Sequence, residues 1–243
     1  MKQFADLHLR VPLKDADKTE KMIQKAKDLG YNIIGISLPF NVRKEQISHL
    51  KQVCEDAKID FVTRVDLSPR NSNELLSELR KCRRKFEIVA VRCNSKDVAR
   101  QAAKDRRVDL LQFSVTNNRK RFFDEQEAEL ASQALAALEI EMAPLLQLTS
   151  FSRIRLLSAL RKEVATADRA DVPVVLSSGA AKEQLMRGHH DFAALTTIFD
   201  MTLSSALKAL SEVPREIVGR NRNKLSPDYV APGIRVIGRR SVD

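Results

Sequence analysis

The sequence predicts a TIM-barrel-like α/β fold, a closed parallel barrel of about seven strands surrounded by helices. Three observations predict it. Short apolar runs alternate with longer charged segments of helical period through the first 213 residues. The apolar runs are nearly continuous, as in parallel strands covered by helices. Several of them also carry ionic groups on one face. A flat sheet sandwiched between helices is apolar on both faces, whereas a barrel can collect charged groups in its lumen, mostly toward its carboxyl end. Length fits an open doubly wound sheet equally well, so the ionic face is what favours closure.

The first run, FADLHLR (4–10), places Asp6, His8 and Arg10 at spacing two, hence on one face of a strand, with Ala5, Leu7, Leu9 and Val11 on the other. A helix near 15–29 follows and stops at Gly30, in the manner of a C′ glycine. NIIGISL (32–38) precedes a helix near 43–57. IDFVTRVDL (59–67) puts Arg64 and Asp66 on one face, and Ser72 stands where the N-cap of a helix near 72–84 belongs. FEIVAVRC (86–93) carries Arg92 and leads to a helix near 95–106. VDLLQFS (108–114) carries Gln112, and Asp124 caps a helix near 124–137. LEIEMA (138–143) carries Glu139 and Glu141 ahead of a helix near 149–169, and PVVLSS (173–178) is the seventh run. Two more helices are expected near 181–187 and 191–212, with Asp191 capping the second. From Pro214 the pattern fails. Residues 1–213 therefore read as one barrel domain and 214–243 as an irregular basic C-terminal extension, with Lys or Arg at 215, 220, 222, 224, 235, 239 and 240.

Lys and Arg number 42 against 32 Asp and Glu, a net charge of +10 over 243 residues. That excess points to a polyanionic partner such as nucleic acid. Cys54, Cys82 and Cys93 form no CxxC pair and read as reduced thiols packed as small hydrophobes. No signal-like segment or membrane-spanning run is present, so a cytoplasmic protein without membrane contact is expected.

The chemistry-bearing residues are few. There are four histidines, His8, His49, His189 and His190, too small a set for a two- or three-metal phosphoesterase. A single metal at Asp6, His8 and a glutamate such as Glu141 stays open as an alternative, but Arg10 cannot join it, because a guanidinium has no lone pair to donate. No GxSxG, Gly-rich phosphate loop or Cys/His pair appears, so no catalytic residue and no cofactor are expected. SSGAAK (177–182) resembles a phosphate-binding turn into a helix, supported by Lys182 and Arg187. The carboxyl ends of the strands would present further cations to RNA: Arg10, Arg43, Lys44, Arg70, Lys96 and the triplet Arg119, Lys120 and Arg121. The opposite rim is basic too, from Arg80 to Lys85 and from Lys104 to Arg107, and the sequence does not choose between the rims.

The ordered set ADLHLR, FVTRVDL, KFEIVAVRCNSKDVARQAAKDRRVDLLQF and VVLSSGA…LMRG resembles the ribonuclease P protein component 3 family of archaea and eukaryotes. The resemblance runs over about 1–215 and implies a barrel related to the PHP phosphoesterases. Those enzymes open with a DxHxH-type strand. Asp6 and His8 match it, Arg10 stands in place of the second metal-binding histidine, and the later His-rich motifs are missing. The resemblance implies a tRNA-processing ribonucleoprotein in which RNA cleaves and this chain is not catalytic alone. Its implied partners are ribonuclease P RNA, precursor tRNA within the holoenzyme, and a small protein subunit of RRM-like fold. The absence of long helical insertions fits the compact archaeal form. A metal-dependent PHP-like phosphoesterase with a reduced metal site is the competing reading. On the first reading, arginines occupy the place of metals, in a lumen network of Asp6, His8, Arg64, Asp66, Arg92 and Glu141 held by guanidinium–carboxylate pairs.

Overall fold

In the computed structural model the described residues are 2–115, 121–231 and 234–235. Seven parallel strands run in sequence order around a nearly closed barrel: β1 (Phe4–Leu9), β2 (Tyr31–Ser37), β3 (Asp60–Leu67), β4 (Ile88–Cys93), β5 (Leu110–Phe113), β6 (Ala137–Glu141) and β7 (Val174–Ser177). The seam between β7 and β1 is closed past the end of β7, where Leu9 bridges Ala180 and the Arg10 amide donates to the Ala180 carbonyl at 2.9 Å. Helices α1 (Ala16–Asp28), α2 (Lys44–Asp56), α3 (Ser72–Cys82), α4 (Lys96–Lys104) and α5 (Glu125–Ala134) alternate with the first six strands. The short α6 (Ala143–Gln147) and the long α7 (Ser150–Arg169) lie between β6 and β7, and α8 (His189–Leu195) and α9 (Leu203–Ala209) follow.

The helices start and stop for local reasons. Asp15, Ser95 and Asp124 accept backbone N–H bonds at the first turns of α1, α4 and α5. Asn71, rather than Ser72, caps α3 by accepting from the Glu74 amide. Gly188, rather than Asp191, occupies the N-cap position of α8, and Asp191 sits in its first turn. The expected helix at 181–187 is reduced to one 3₁₀ turn, Glu183–Leu185, and the expected 191–212 helix is broken by a second 3₁₀ turn, Thr196–Phe199.

The largest correction falls at the C-terminal side. Residues 214–225 are not an irregular extension. They belong to α10 (Glu212–Leu225), followed by a two-stranded ribbon, β8 (Tyr229–Ala231) and β9 (Ile234–Arg235). Pro214 does not break this helix because it lies in the first turn, where no N–H partner is lost. Ile217 and Val218 of α10 pack onto an apolar layer of Ala5, Leu7, Ile33, Val62, Ile88, Ala90, Leu110, Ala137 and Val175. The helix thereby seals the amino end of the barrel, and a domain boundary at 213 would cut the seal from its seat. Its cations are used as clamps: Arg222 forks onto Asp60 at 2.7 and 2.8 Å and reaches Glu87 at 2.6 Å, and Arg220 meets Asp109. The larger core lies outside the strands, beneath the helices, and includes Cys54, Cys82 and Cys93. Burial pushes the Cys54 thiol up to about 12 and Cys82 up to about 11, so neither is a nucleophile near neutral pH.

Candidate functional site: the ionic lumen and the mouth of the barrel

Above the apolar layer the lumen turns ionic. Arg64, fully buried, spans its width. Its Nη1 and Nη2 each meet one oxygen of Glu139 at 2.6 Å. Its Nε and Nη2 meet Asp66 Oδ1 at 3.0 and 2.8 Å, and Nη1 also donates to the Leu7 carbonyl at 2.8 Å. Ser37 donates to the other oxygen of Asp66, and Ser177 to Glu139 at 2.6 Å. Gln112 spends its amide hydrogens on Glu139 (2.8 Å) and Glu141 (3.1 Å).

His8 completes the set. Its Nδ1 lies 2.9 Å from Glu141 and its Nε2 3.3 Å from Asp66. Burial and Arg64 oppose a charge on the ring, but Asp66 and Glu141 outweigh them, and the His8 pKa lies above the ordinary imidazole value. Burial pushes the Asp66 and Glu141 carboxyls up. Arg64 and His8 nevertheless hold Asp66 far below the usual range, and His8 and Arg10 bring Glu141 down to about 2. With His8 protonated the network is neutral: Asp66, Glu139 and Glu141 against His8, Arg10 and Arg64. Arg10 Nε also approaches His8 Nε2 at 3.1 Å, which would be a hydrogen bond if the ring were neutral. The two flanking carboxylates favour the imidazolium, with Glu141 holding both cations.

Two members of the expected network lie elsewhere. Among the described residues Asp6 makes no ion pair or hydrogen bond with an arginine: its Oδ1 accepts from the amides of His8 (3.1 Å) and Ser178 (2.9 Å), stitching β1 to the loop after β7. The reason is a bulge. Asp6 pairs with Ile34 and Leu9 with Ile36, so β1 has one residue more than β2 between these pairs, and strict alternation breaks. Ala5 and Leu7 join the inner apolar layer while His8 also turns into the lumen. Arg92 is the second departure. It shares a face with Gln112, its register partner, but its side chain is exposed at the mouth and has no ionic or hydrogen-bonding partner among the described residues. Conversely Gln112, Glu139, Ser37 and Ser177 belong to the network. The alternation had already put Gln112 and Glu139 on the ionic face, whereas a serine at a strand end carries no such signal.

The expected RNA-facing cations divide. Arg43, Lys44, Arg70 and Lys182 are exposed around the carboxyl end of the barrel, and Lys96 is exposed with Asp124 3.5 Å away. Arg10 is committed to Glu141 and His8, with 37% of its side chain exposed. Arg121 is a correction: its side chain is only 6% exposed and forks onto Glu163 of α7, with Nε–Oε1 at 2.6 Å, and its Nη1 donates to the Ser114 carbonyl at 2.8 Å, so it pins the β5–α5 connection instead of facing solvent. Arg119 and Lys120 lie outside the described residues. Arg187 is another correction. Its guanidinium is turned onto the Gln184 and Met186 carbonyls, and its own carbonyl accepts from Tyr31, the first residue of β2. The SSGA turn is also used internally. Its Ser178 amide goes to Asp6 and its Ala180 amide to Ser178 Oγ, so those donors are not free for phosphate.

The lumen does not suit a divalent metal. Arg10 and Arg64 stand at the carboxylates and imidazole that would ligate it, and both of the ring nitrogens of His8 are already engaged. No group of three or more His, Cys, Asp or Glu side chains among the described residues is arranged to hold a metal.

The ribonuclease P protein component 3 of Methanosarcina mazei is 28% identical over 236 residues, 97% of this chain and 96% of that protein. That of Methanosarcina acetivorans is 31% identical over 173 residues, 71% of each. A chain in the cryo-EM structure of archaeal ribonuclease P with mature tRNA shares the fold with a TM-score of 0.83, at 22% identity, over 97% of this chain and 98% of that one. A prolidase-like protein from Bifidobacterium longum shares the barrel more loosely, with a TM-score of 0.60 at 10% identity over 91% of this chain and 70% of that one. The sequence profile of the RNase P subunit p30 family matches residues 3–226, from β1 through α10. The chain belongs to the RNase P subunit p30 family.

Proposed function

We propose that this chain supports the catalytic RNA of ribonuclease P, the ribonucleoprotein that removes 5′ leaders from precursor tRNA, and is not itself a catalyst. The family match across residues 3–226 carries the reading. The exposed cations Arg43, Lys44, Arg70, Arg92, Lys96 and Lys182 support it, because a phosphate backbone gains from several cations at one end of a rigid scaffold. On the amino side Arg83, Arg220 and Arg222 are tied to Asp109, Asp60 and Glu87, whereas Arg80, Lys81, Arg84, Lys85, Lys104 and Arg106 are exposed, so that rim also offers cations to RNA. A small protein subunit of RRM-like fold is the protein partner in this reading. Affinity purification of the tagged chain from its native host tests it. A structured RNA with the secondary structure of ribonuclease P RNA, together with one small protein, is expected. Recovery of the chain free of RNA under low-salt conditions would refute it.

A further inference from the structure

The mouth of the barrel holds a pocket of about 460 Å³, within the range of cavities that bind small ligands, ~300–1,000 Å³. Its floor is part of the ionic network, Arg10, Gln112, Glu139 and Glu141, with Glu139 held by Arg64 and Glu141 by His8 and Arg10. Its walls differ in character. Part of the lining is apolar, from Pro144 and Leu148, both partly exposed, and the buried Leu156. Another part carries Arg92, exposed and without a partner among the described residues, and Asn94. Gln147 stands exposed at the edge. An unpaired guanidinium selects an anion, and apolar lining in the same pocket selects a flat or apolar body attached to that anion. A nucleotide combines the two.

We propose that this pocket takes one unpaired nucleotide of a bound RNA strand, its phosphate on Arg92 and its base against the partly exposed Pro144 and Leu148. The inference rests on the RNA-supporting reading above. A strand is favoured over a free mononucleotide because the exposed Arg70 and Lys96 each lie two residues beyond a pocket-lining residue, Ser68 and Asn94, as cations that flanking phosphates would use and a lone nucleotide would not.

Photo-crosslinking in the assembled ribonucleoprotein tests this. The three native cysteines are buried, so a photoreactive thiol reagent placed at Gln147→Cys labels the pocket edge. The expected adducts fall on one short unpaired stretch of the RNA. Arg92→Ala should lower their yield about tenfold, the loss of one anchored base, while the variant melts like wild type. Adducts scattered over duplex segments, or a yield unchanged by Arg92→Ala, would overturn the proposal while leaving the RNA-supporting reading intact. AMP binding to the isolated chain that depends on Arg92, with no RNA adduct in the particle, would assign the pocket to free nucleotides and also overturn it. Failure of the wild-type chain to associate with ribonuclease P RNA at all would refute both readings.

Discussion

Arg64 and Glu139 face each other inside the barrel as a two-point fork, both N–O separations at 2.6 Å and neither side chain reached by solvent. A buried charge left without its partner is far costlier than a missing pair. Arg64→Ala is therefore expected to destabilise the protein by about 3–5 kcal/mol in urea unfolding. Arg64→Lys should recover only part, because a point charge cannot bridge Glu139 and Asp66 together. Arg64→Met with Glu139→Leu should cost less than Arg64→Met alone. A single Arg64→Ala variant as stable as wild type would contradict the network.

Stability should peak in mildly acidic solution. Glu141 and Asp66 have lowered folded-state values, so their contribution is present above the ordinary carboxyl range and is lost as pH falls through the folded values. For Glu141, held at about 2 against an ordinary 4.5, the loss on acidification is on the order of 3 kcal/mol. His8 has a raised value. Its contribution is complete below its ordinary 6.5 and is lost as pH rises through its folded value. Urea midpoints measured from about pH 3 to about pH 9 should fall on both sides of a maximum near pH 5 to 6.5. Replacing His8 by Gln should flatten the alkaline limb.

The bulge in β1 brings its backbone against Gly35 of β2. A Cβ at Gly35 would sit 2.4 Å from the Leu7 carbonyl oxygen, the same oxygen that accepts from Arg64. Backbone cannot yield there as a flexible side chain would. Gly35→Ala is expected to cost about 1–3 kcal/mol, read as a lowered melting temperature. A melting curve like that of wild type would mean that the bulge is not fixed.

The helical seal at the amino end makes its own prediction. Ile217 is nearly buried against the inner apolar layer, so Ile217→Ala should cost about 2–4 kcal/mol. Were residues 214–225 a solvated tail, the variant would be neutral in the same unfolding assay.

Arg92→Ala should change stability by no more than about 0.5 kcal/mol, as for surface substitutions without partners. A loss of several kcal/mol in chemical unfolding would show that Arg92 is held in the lumen after all.

What was legible in the sequence follows from what period-two alternation encodes. It assigns faces, and so it puts Arg64, Asp66, Gln112, Glu139 and Glu141 on the ionic side of their strands, although the expected network counted only Arg64, Asp66 and Glu141 of these. It does not encode a bulge, which is why Asp6 was grouped with His8 although one extra residue sends it to the Ser178 amide. Nor does it encode height along the barrel. Arg92 shares the ionic face but stands near the end of β4, and the three network carboxylates are already matched by His8, Arg10 and Arg64. Arg121 looked like a free loop cation because its partner, Glu163, lies 42 residues onward on α7. Pro214 looked like a breaker because a first-turn proline and a helix-ending proline are the same letter until the helix break at Leu210–Ser211 is known.

On the proposed function this barrel serves a catalytic RNA instead of cleaving RNA itself. Reconstituted 5′-leader removal measures it most directly. Ribonuclease P RNA and the other protein subunits are assembled with and without this chain, and precursor tRNA cleavage is followed at limiting magnesium. The account predicts that adding the chain raises the cleavage rate, that raising salt weakens its contribution steeply through counterion release, and that the chain alone cleaves nothing. Leader removal by the chain without RNA, or a rate indifferent to its presence, would contradict it.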